Sequence, residues 1–553
     1  MFKGVRPLAL AGLMTASLAC GLQQGSPGTQ PQQATGALPQ HDTGTQQRGG
    51  TLRVPVSVDP YDWDLSYGGI GAANTSGLAL AYSNLLNFRA GPDVPYPDNI
   101  MEPGLAERWE VSPDARQFTF YLRKGVKFAN LPPLNGREFT SADVKWTFEY
   151  YSRTGEFKDK KLPRSPIDWI YEGIDTVETP DPYSVVVRFK DPFASFLGNT
   201  AADRWSPIAP KDIYEQDGHL KERMVGTGPF QLDQTASQKG SRWVFKKHPA
   251  YFREGLPYID EVRWLVIPDD ATSYAAFQAK QLDLLTGDIS VEIAESLKKN
   301  NPTAVMYRYQ EPAPLQLFFN VKRPPLDDIR VRKAMALSIN RDEFIKTFAG
   351  GEGRWALAAA IAGLFTEQEV KQIIRHDPEE AKRLLREAGF GDGINLEFMY
   401  TPSRGDGYIS EMELLIAQLK RTGINVTAKS TDRAADQQRK QTGDFEITMV
   451  SNARFAGDVG DWAIATFTPS TPQNFNQVDD PRLGAMLKAL RSETNQASRR
   501  ERVREIARFL YDNVLGLAIY HGVGHSFWHP YLKNYAPNYW KRGTPIVESW
   551  LEK

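Results

Sequence analysis

The stretch DPEEAKRLLREAGFGDGINLEFMYTPSRGDGYISEMELLIAQLKRTGINVTAK, residues 377–429, decides the fold class. Asp377 is placed to cap a helix that ends at Gly389, where a glycine lets the chain turn through a left-handed conformation. Residues 410–422 repeat the helical pattern, and residues 424–429 follow as a strand. A helix followed by a strand, twice over, predicts an α/β protein with a largely parallel sheet.

The chain before this stretch also mixes strands and helices. Residues 51–56 and 184–189 read as short apolar strands, and residues 117–123 alternate like a half-buried strand. Residues 141–151 carry apolar side chains on one helical face, and Thr140 can cap their start. These elements extend the α/β prediction to most of the chain.

Composition and charge exclude several classes of protein. The chain has 553 residues, 41% of them hydrophobic, and a net charge of −1, which is an ordinary soluble composition with room for two or three domains. The absence of a basic excess gives no electrostatic indication of nucleic-acid binding. A single cysteine excludes an intramolecular disulfide and a cysteine-rich zinc site.

The N-terminus reads as an export signal. Lys3 and Arg6 precede a short apolar run, and Cys20, the only cysteine, follows a small residue. We therefore predict a signal peptide over residues 1–19, since the run is too short to span a bilayer. The cysteine resembles that of a bacterial lipobox, which predicts lipidation of Cys20; an ordinary signal peptide without lipid stays open.

Residues 20–50 are rich in Gln, Gly, Pro and Thr and offer almost nothing to bury. Such a segment cannot offset the entropy of ordering, so we expect a flexible linker between an anchor and the globular body.

Six motifs of the body occur in one order along the chain. They are GLAERW at 104–109, FTFYLRKGVKF at 118–128, FTSADV at 139–144, GTGPF at 226–230, FN at 319–320 with PLDDIRVR at 325–332, and DPEEAKRLLREAG at 377–389. Together they resemble bacterial extracellular solute-binding proteins of family 5, the oligopeptide, dipeptide and nickel receptors of ABC importers. The resemblance covers residues 51–537.

The resemblance implies a type II periplasmic-binding fold with two lobes joined by a hinge and an extra inserted domain. Lobe I is expected to be discontinuous, and the predicted ranges are 51–75, 206–312 and 520–553 for lobe I, 76–205 for the inserted domain and 313–519 for lobe II. Two chain crossings are expected to form the hinge, near residues 317–320 and 517–520. Closure around a ligand would exclude water from the cleft.

The best ligand-binding candidate lies in RFAGDVGDW, residues 454–462. In peptide receptors of the family, the matching run has an aromatic residue and two acids, which fall on Phe455, Asp458 and Asp461. The resemblance implies that Asp458 holds a peptide ammonium group, which presents charge and donors together. Trp462 replaces the family's proline. An Asp-rich turn with no ligand is the alternative.

Arg404 falls where dipeptide receptors carry an arginine toward the peptide carboxylate, although a solvated loop arginine is the alternative. His521, His525 and His529 recur every fourth residue and could indicate a metal. In a strand this spacing separates neighbours by about 13 Å, so one ion cannot hold all three. Only His521 is kept as a candidate cleft residue, and no metal is predicted.

The resemblance also implies partners and location. We expect an oligopeptide or dipeptide as ligand, with an oligosaccharide, a nickel chelate or another small solute as alternatives. The protein is expected to be an extracytoplasmic monomer. Its other expected partners are an ABC permease and ATPase, and a membrane to which the lipid on Cys20 would attach it. No cofactor is expected. The sequence lacks a Gly-Lys-Ser/Thr phosphate loop, His-Glu-x-x-His and Gly-x-Ser-x-Gly, which argues against an enzyme, but an enzyme or a sensor module stays open.

Overall fold

The computed structural model describes residues 45–60, 62–64, 72–89, 100–162, 167–201, 205–287, 289–311, 313–357, 363–402, 406–451, 458–535 and 544–552. The strands are β1 Thr51–Val56, β2 Leu86–Phe88, β3 Met101–Pro103, β4 Ala106–Val111, β5 Gln117–Leu122, β6 Ile174–Asp181, β7 Ser184–Phe189, β8 Phe230–Leu232, β9 Arg242–Lys247, β10 Glu261–Val266, β11 Leu284–Gly287, β12 Val305–Gln310, β13 Leu315–Phe319, β14 Arg354–Trp355, β15 Ile394–Tyr400, β16 Ile424–Ser430, β17 Ile447–Ser451, β18 Leu517–Ala518, β19 Tyr520–His521, β20 Val523–Trp528, β21 Leu532–Lys533 and β22 Trp550–Leu551.

The α-helices are α1 Ala72–Ala81, α2 Ser141–Ser152, α3 Asp168–Tyr171, α4 Phe196–Ala201, α5 Lys211–Asp217, α6 Asp270–Gln278, α7 Val291–Asn300, α8 Ile329–Ser338, α9 Arg341–Phe348, α10 Glu367–Ile373, α11 Pro378–Glu387, α12 Asp406–Lys420, α13 Arg433–Thr442, α14 Asp461–Phe467, α15 Pro481–Ser492, α16 Gln496–Asp512 and α17 Thr544–Val547. Within the described ranges, no helix is both long and apolar enough to cross a membrane.

The stretch that decided the fold class forms the alternation that its sequence predicts, α11-β15-α12-β16. The Asp377 side chain accepts a hydrogen bond from the backbone N–H of Glu380 at 3.0 Å, so it caps α11. Gly389 follows the helix with a φ of 90°, a conformation that costs glycine little.

The sheet that contains β15 and β16 is mixed. The prediction of a largely parallel sheet is therefore wrong for half of its strand pairs. Its order is β16-β15-β17-β13-β18. β15 pairs in parallel with β16 and β17, whereas β13 runs antiparallel to β17 and β18. The antiparallel strands are β13 and β18, which connect this sheet to the sheet that contains β12 and β20. Their direction is set by these connections, and the local helix and strand patterns give no information about it.

Two further sheets join distant parts of the range predicted as lobe I. One has the order β1-β10-β9-β8, with β1 parallel to β10, and the other has the order β11-β20-β12. In the second sheet β20 lies between β11 and β12 and is antiparallel to both. Strand pairing therefore ties the chain's early, middle and late segments together; the exact domain boundaries stay predictions, and we keep the names lobe I, inserted domain and lobe II for the predicted ranges.

The inserted domain contains an antiparallel sheet of order β4-β5-β7-β6. Alternate side chains of β5 point inward, and Phe118 and Phe120 are fully buried. Phe196 of α4 packs edge-on against both rings, at centroid distances of 5.0 and 6.4 Å. This aromatic core makes the end of the domain near α4 a rigid surface.

The Gly-Thr-Gly-Pro motif at 226–229 is a close packing contact against the end of α1. A Cβ on Gly226 would lie 2.1 Å from the carbonyl oxygen of Ala81, and one on Gly228 would lie 2.5 Å from the carbonyl carbon of the same residue. Only glycine permits this approach, so the motif is explained by packing rather than by ligand contact.

The chain passes twice between the two sheets that carry β12 and β13. The first passage follows β12 and precedes β13, at residues 311–314, and the second connects β18 to β20 through residues 519–522. The second is close to the predicted crossing at 517–520. The first lies before the predicted 317–320, because residues 315–319 are already paired within the mixed sheet.

Candidate functional site

The predicted ligand loops start at one edge of the mixed sheet. β15 and β17 are parallel neighbours, so their carboxyl ends, at Tyr400 and Ser451, lie on the same side. Tyr408 of α12 donates its hydroxyl hydrogen to the carbonyl oxygen of Met449 at 2.9 Å. This hydrogen bond connects α12, which follows the loop after β15, to β17, which precedes the second loop. Sites in α/β sheets form at the carboxyl ends of such strands. Arg404 and Phe455 belong to these two loops but lie outside the described residues.

Asp458 is held in a two-point ion pair with Arg499 of α16. The guanidinium donates from Nη2 to Asp458 Oδ1 at 2.5 Å and from Nε to Oδ2 at 2.9 Å. The Gly460 N–H also donates to Oδ1, at 2.8 Å. The candidate carboxylate therefore has its charge balanced within the protein, which is the planar two-bond geometry that arginine favours.

Arg499 is fixed from its other side as well. Its Nη1 donates to the carbonyl oxygens of Leu490 at 2.7 Å and Glu493 at 2.8 Å. The Arg499 side chain is 4% exposed and that of Asp458 is 19% exposed. Asp458 Oδ2 accepts one hydrogen bond from Arg499, and a carboxylate oxygen can accept two, so Asp458 keeps capacity for one further donor.

Asp461, the first residue of α14, is completely buried. The backbone N–H of Asp458 donates to its Oδ2 at 3.2 Å. Burial, and secondly the charge of Asp458, raise the pKa of Asp461 well above its usual range, and interactions with Ser195 and Arg499 offset only part of this increase. The surroundings of Asp461 therefore favour the neutral form of its carboxyl.

Trp462 is also buried, at 2% exposed, and its ring packs edge-on against Phe467 at 6.2 Å. Its Nε1–H makes no hydrogen bond to any residue that the structure describes. A buried donor without an acceptor costs about 1–3 kcal/mol, so this N–H is a candidate contact for a ligand oxygen.

His521 lies at the second passage between the sheets, in β19, and is 4% exposed. Its Nδ1 donates to the carbonyl oxygen of Glu311 at 3.1 Å, which joins the two passages by a hydrogen bond. Burial lowers the pKa of His521 to about 4, so the ring is neutral at physiological pH.

His525 and His529 are buried, and each makes its own separate hydrogen bonds. His525 Nδ1 donates to the carbonyl oxygen of Ile289 at 2.9 Å, and its Nε2 accepts from Arg308 Nε at 3.2 Å. His529 donates to the carbonyl oxygen of Phe277 at 3.1 Å and stacks on the Phe277 ring at 4.2 Å. Among the described residues no group of three or more His, Cys, Asp or Glu is placed to hold a metal ion.

Sequence reasoning missed two partners of the candidate loop. Arg499 lies 41 residues after Asp458, within a helix whose sequence QASRRERVRE offers several arginines and no indication of which one turns inward. Ser195 approaches Asp461 from the inserted domain and belongs to no motif. The family pattern identified the acids but gave no information about what surrounds them.

Comparison with known families gives the class of protein. Residues 101–474 match the family described as bacterial extracellular solute-binding proteins, family 5 Middle. This match spans more than half of the chain, and the protein belongs to that family.

Individual relatives agree with this assignment. The chain is 28% identical over 404 residues to a dipeptide-binding protein of Escherichia coli, covering 69% of this chain and 71% of that protein. It is 24% identical to heme-binding protein A of Haemophilus influenzae, covering 84% and 86%. Among solved structures it resembles the ABC transporter-associated periplasmic binding protein DppA of Helicobacter pylori in complex with the peptide STSA, with a TM-score of 0.80, 22% identity and coverage of 92% and 99%. The fold is accordingly the type II periplasmic-binding fold.

Proposed function

We propose that the protein is the extracytoplasmic solute receptor of an ABC importer, which captures an oligopeptide or dipeptide between lobes I and II and delivers it to the permease. The observation that carries the proposal is family membership across residues 101–474, which span most of the inserted domain and most of both lobes. Likeness to a peptide-bound periplasmic protein over 92% of the chain supports the same proposal. The receptor is expected to release its solute chemically unchanged, and ATP hydrolysis belongs to a separate subunit.

The proposed ligand contacts lie at the carboxyl edge of β15 and β17 and at the passages between the lobes. Asp458 would receive a ligand N–H on Oδ2 beside Arg499, and Trp462 would donate to a ligand oxygen the N–H that has no acceptor among the described residues. Asp461 would keep the loop in place and present a neutral carboxyl. Phe455, Arg404 and His521 complete the proposed set, with Arg404 directed to a peptide carboxylate.

The charge balance of the candidate loop bears on which solute fits. An isolated carboxylate would select a cation strongly, whereas the Asp458–Arg499 pair favours any good donor and gives an ammonium a smaller advantage. One relative of the chain is a protein named for heme binding, and heme is not a peptide. A non-peptide small solute is therefore the second candidate.

For location, we propose export directed by residues 1–19, lipidation at Cys20 and a flexible linker to residue 50. The lipid would hold a monomeric receptor at the membrane next to its permease and ATPase. Basic residues, the apolar run and the single cysteine of the N-terminus support this proposal.

Mass spectrometry of the solute that co-purifies with the protein tests the function directly. The protein is purified without refolding, denatured, and its small-molecule fraction is compared with that of an unrelated exported protein. A peptide series present in stoichiometric amount is the expected result. A stoichiometric sugar, chelate or porphyrin would replace the peptide assignment, and turnover of the bound solute on incubation would contradict the receptor assignment.

A further inference from the structure

The inserted domain touches lobe II at a contact that lies far along the chain from either hinge passage. The backbone N–H of Ala194 donates to the carbonyl oxygen of Arg491 at 2.9 Å. Arg491 is near the end of α15, and Ala194 lies two residues before the start of α4. A backbone hydrogen bond between two domains on either side of a cleft fixes their separation to within a few tenths of an ångström.

The Arg491 side chain is docked into the inserted domain. Its guanidinium carbon lies 4.5 Å from the centroid of the Phe193 ring, and its Nη2 lies 3.8 Å from where a Cβ on Gly173 would stand. Burial lowers the pKa of Arg491, and interactions with the carboxyl groups of Asp191, Glu172 and Asp461 offset only part of this effect. A Cβ on Gly173 would come closest to the Phe189 ring, 3.2 Å from its Cδ1, and would make only an ordinary van der Waals contact with the guanidinium.

The pocket wall is rigid, which makes the contact specific. Phe193 is fully buried and packs against Phe189 at 5.5 Å and Phe196 at 6.3 Å. Ser195, two residues after Phe193, is 4% exposed and approaches the buried carboxyl of Asp461, which belongs to lobe II. Lobe II thus meets residues 193–195 with both α14 and α15.

We infer that Arg491 and residues 193–195 form a latch by which the inserted domain and lobe II hold the cleft closed without using any atom of the ligand. Rotation about the passages at 311–314 and 519–522 would separate this contact, because its two sides belong to different domains. A contact made only in the closed form shifts the population toward that form. The latch would therefore strengthen the binding of every solute by the same factor, whatever its chemistry.

The matched control is Arg482, on the same helix. Its guanidinium carbon also lies over an aromatic ring, 5.0 Å from the centroid of Phe509, and it pairs with Asp480. Both partners lie in lobe II. Arg482→Ala should therefore leave closure unchanged, while Arg491→Ala weakens it; Arg491→Lys keeps a charge near Glu172 and Asp191 and should restore part of the loss.

Two measurements on the ligand-free, full-length protein test the latch. Hydrogen exchange at the Ala194 amide reports opening, and its protection should fall about tenfold or more in Arg491→Ala, the size of a desolvated cation–π contact. Spin labels at Glu107→Cys and Lys488→Cys, in a Cys20→Ser background, should show a short-distance population that shrinks in parallel. Melting curves confirm that each variant is folded.

Three results would overturn the latch: unchanged protection in Arg491→Ala, an equal loss in Arg482→Ala, or only the long distance in the ligand-free parent. The latch rests on the two-lobe receptor proposed above, but neither measurement needs a solute. If the latch fails, the receptor assignment still depends only on the mass-spectrometric test. If that test instead finds no bound solute, or finds turnover of the solute, the hydrogen-exchange result on the latch still stands.

Discussion

Asp458→Ala should destabilise the protein, because it leaves the guanidinium of Arg499 buried without its counter-charge. The Arg499 side chain is 4% exposed and donates to both carboxylate oxygens of Asp458, at 2.5 and 2.9 Å. Removing one partner of a buried pair costs roughly 3–5 kcal/mol. We expect the low end, about 3 kcal/mol, since two backbone carbonyls still accept from Arg499 and the Asp458 side chain is 19% exposed.

The assay is urea unfolding of the parent and three variants. Asp458→Asn keeps one oxygen for Arg499 Nη2 and the Gly460 N–H, but it turns an NH2 group toward Arg499 Nε and removes the charge. It should therefore destabilise the protein, by less than Asp458→Ala. Glu178→Ala breaks the exposed pair with Arg188, whose side chains are 45% and 50% exposed, and should change stability by no more than about 1 kcal/mol.

A double-mutant cycle with Arg499→Ala isolates the pair from general damage. The double variant should be more stable than the sum of the single losses predicts, because neither partner is then left alone. A loss in Asp458→Ala no larger than that in Glu178→Ala, or exact additivity in the cycle, would refute the reasoning that Asp458 and Arg499 form a buried pair in the folded protein.

Three further predictions follow from the same description. Cys20→Ser should move the protein from the membrane to the soluble fraction in cell fractionation, because every lipid attached at that residue is lost together; unchanged membrane association would contradict lipidation there. Asp458→Asn should destabilise the fold less than Asp458→Ala. In calorimetric titration it should weaken the binding of a peptide with a free amino terminus several-fold more than that of the N-acetylated peptide, a difference of about 1 kcal/mol. Equal losses of affinity would show that Asp458 does not bind the ammonium group. His521 should contribute to acid sensitivity: its pKa is lowered to about 4 in the folded protein, so the unfolded chain takes up a proton first and stability is lost as pH falls from about 6.5 to 4. Melting curves of His521→Asn should show a smaller loss over that window than the parent, and a parallel loss would show that His521 takes no part.

The elements that sequence predicted best are those whose causes are local. The helix capped by Asp377, the helix capped by Thr140 and the strand at 184–189 have their caps and apolar patterns within a few residues. The strand directions in the mixed sheet could not be predicted in the same way. β13 runs antiparallel to β17 and β18, and its direction depends on the connections to the neighbouring sheet.

The candidate site shows the same division. The sequence left an Asp-rich turn open as the alternative to ligand contact, and the structure has turn contacts there, from the Asp458 N–H to Asp461 and from the Gly460 N–H to Asp458. The sequence could not give the counter-charge from Arg499 or the raised pKa of Asp461, since both depend on burial and on residues far away in the chain. The expected strong preference for an ammonium was based on an isolated carboxylate, and the ion pair reduces that expectation.

The most direct test of the account is X-ray scattering of the protein during titration with the solute that mass spectrometry identifies. A receptor that closes two lobes around its ligand should show a smaller radius of gyration as the site fills, with the change complete at one solute per protein. The same samples should show a melting temperature that rises with solute concentration, since only the folded form binds. Saturable binding at one site with an unchanged radius of gyration would contradict capture by closure.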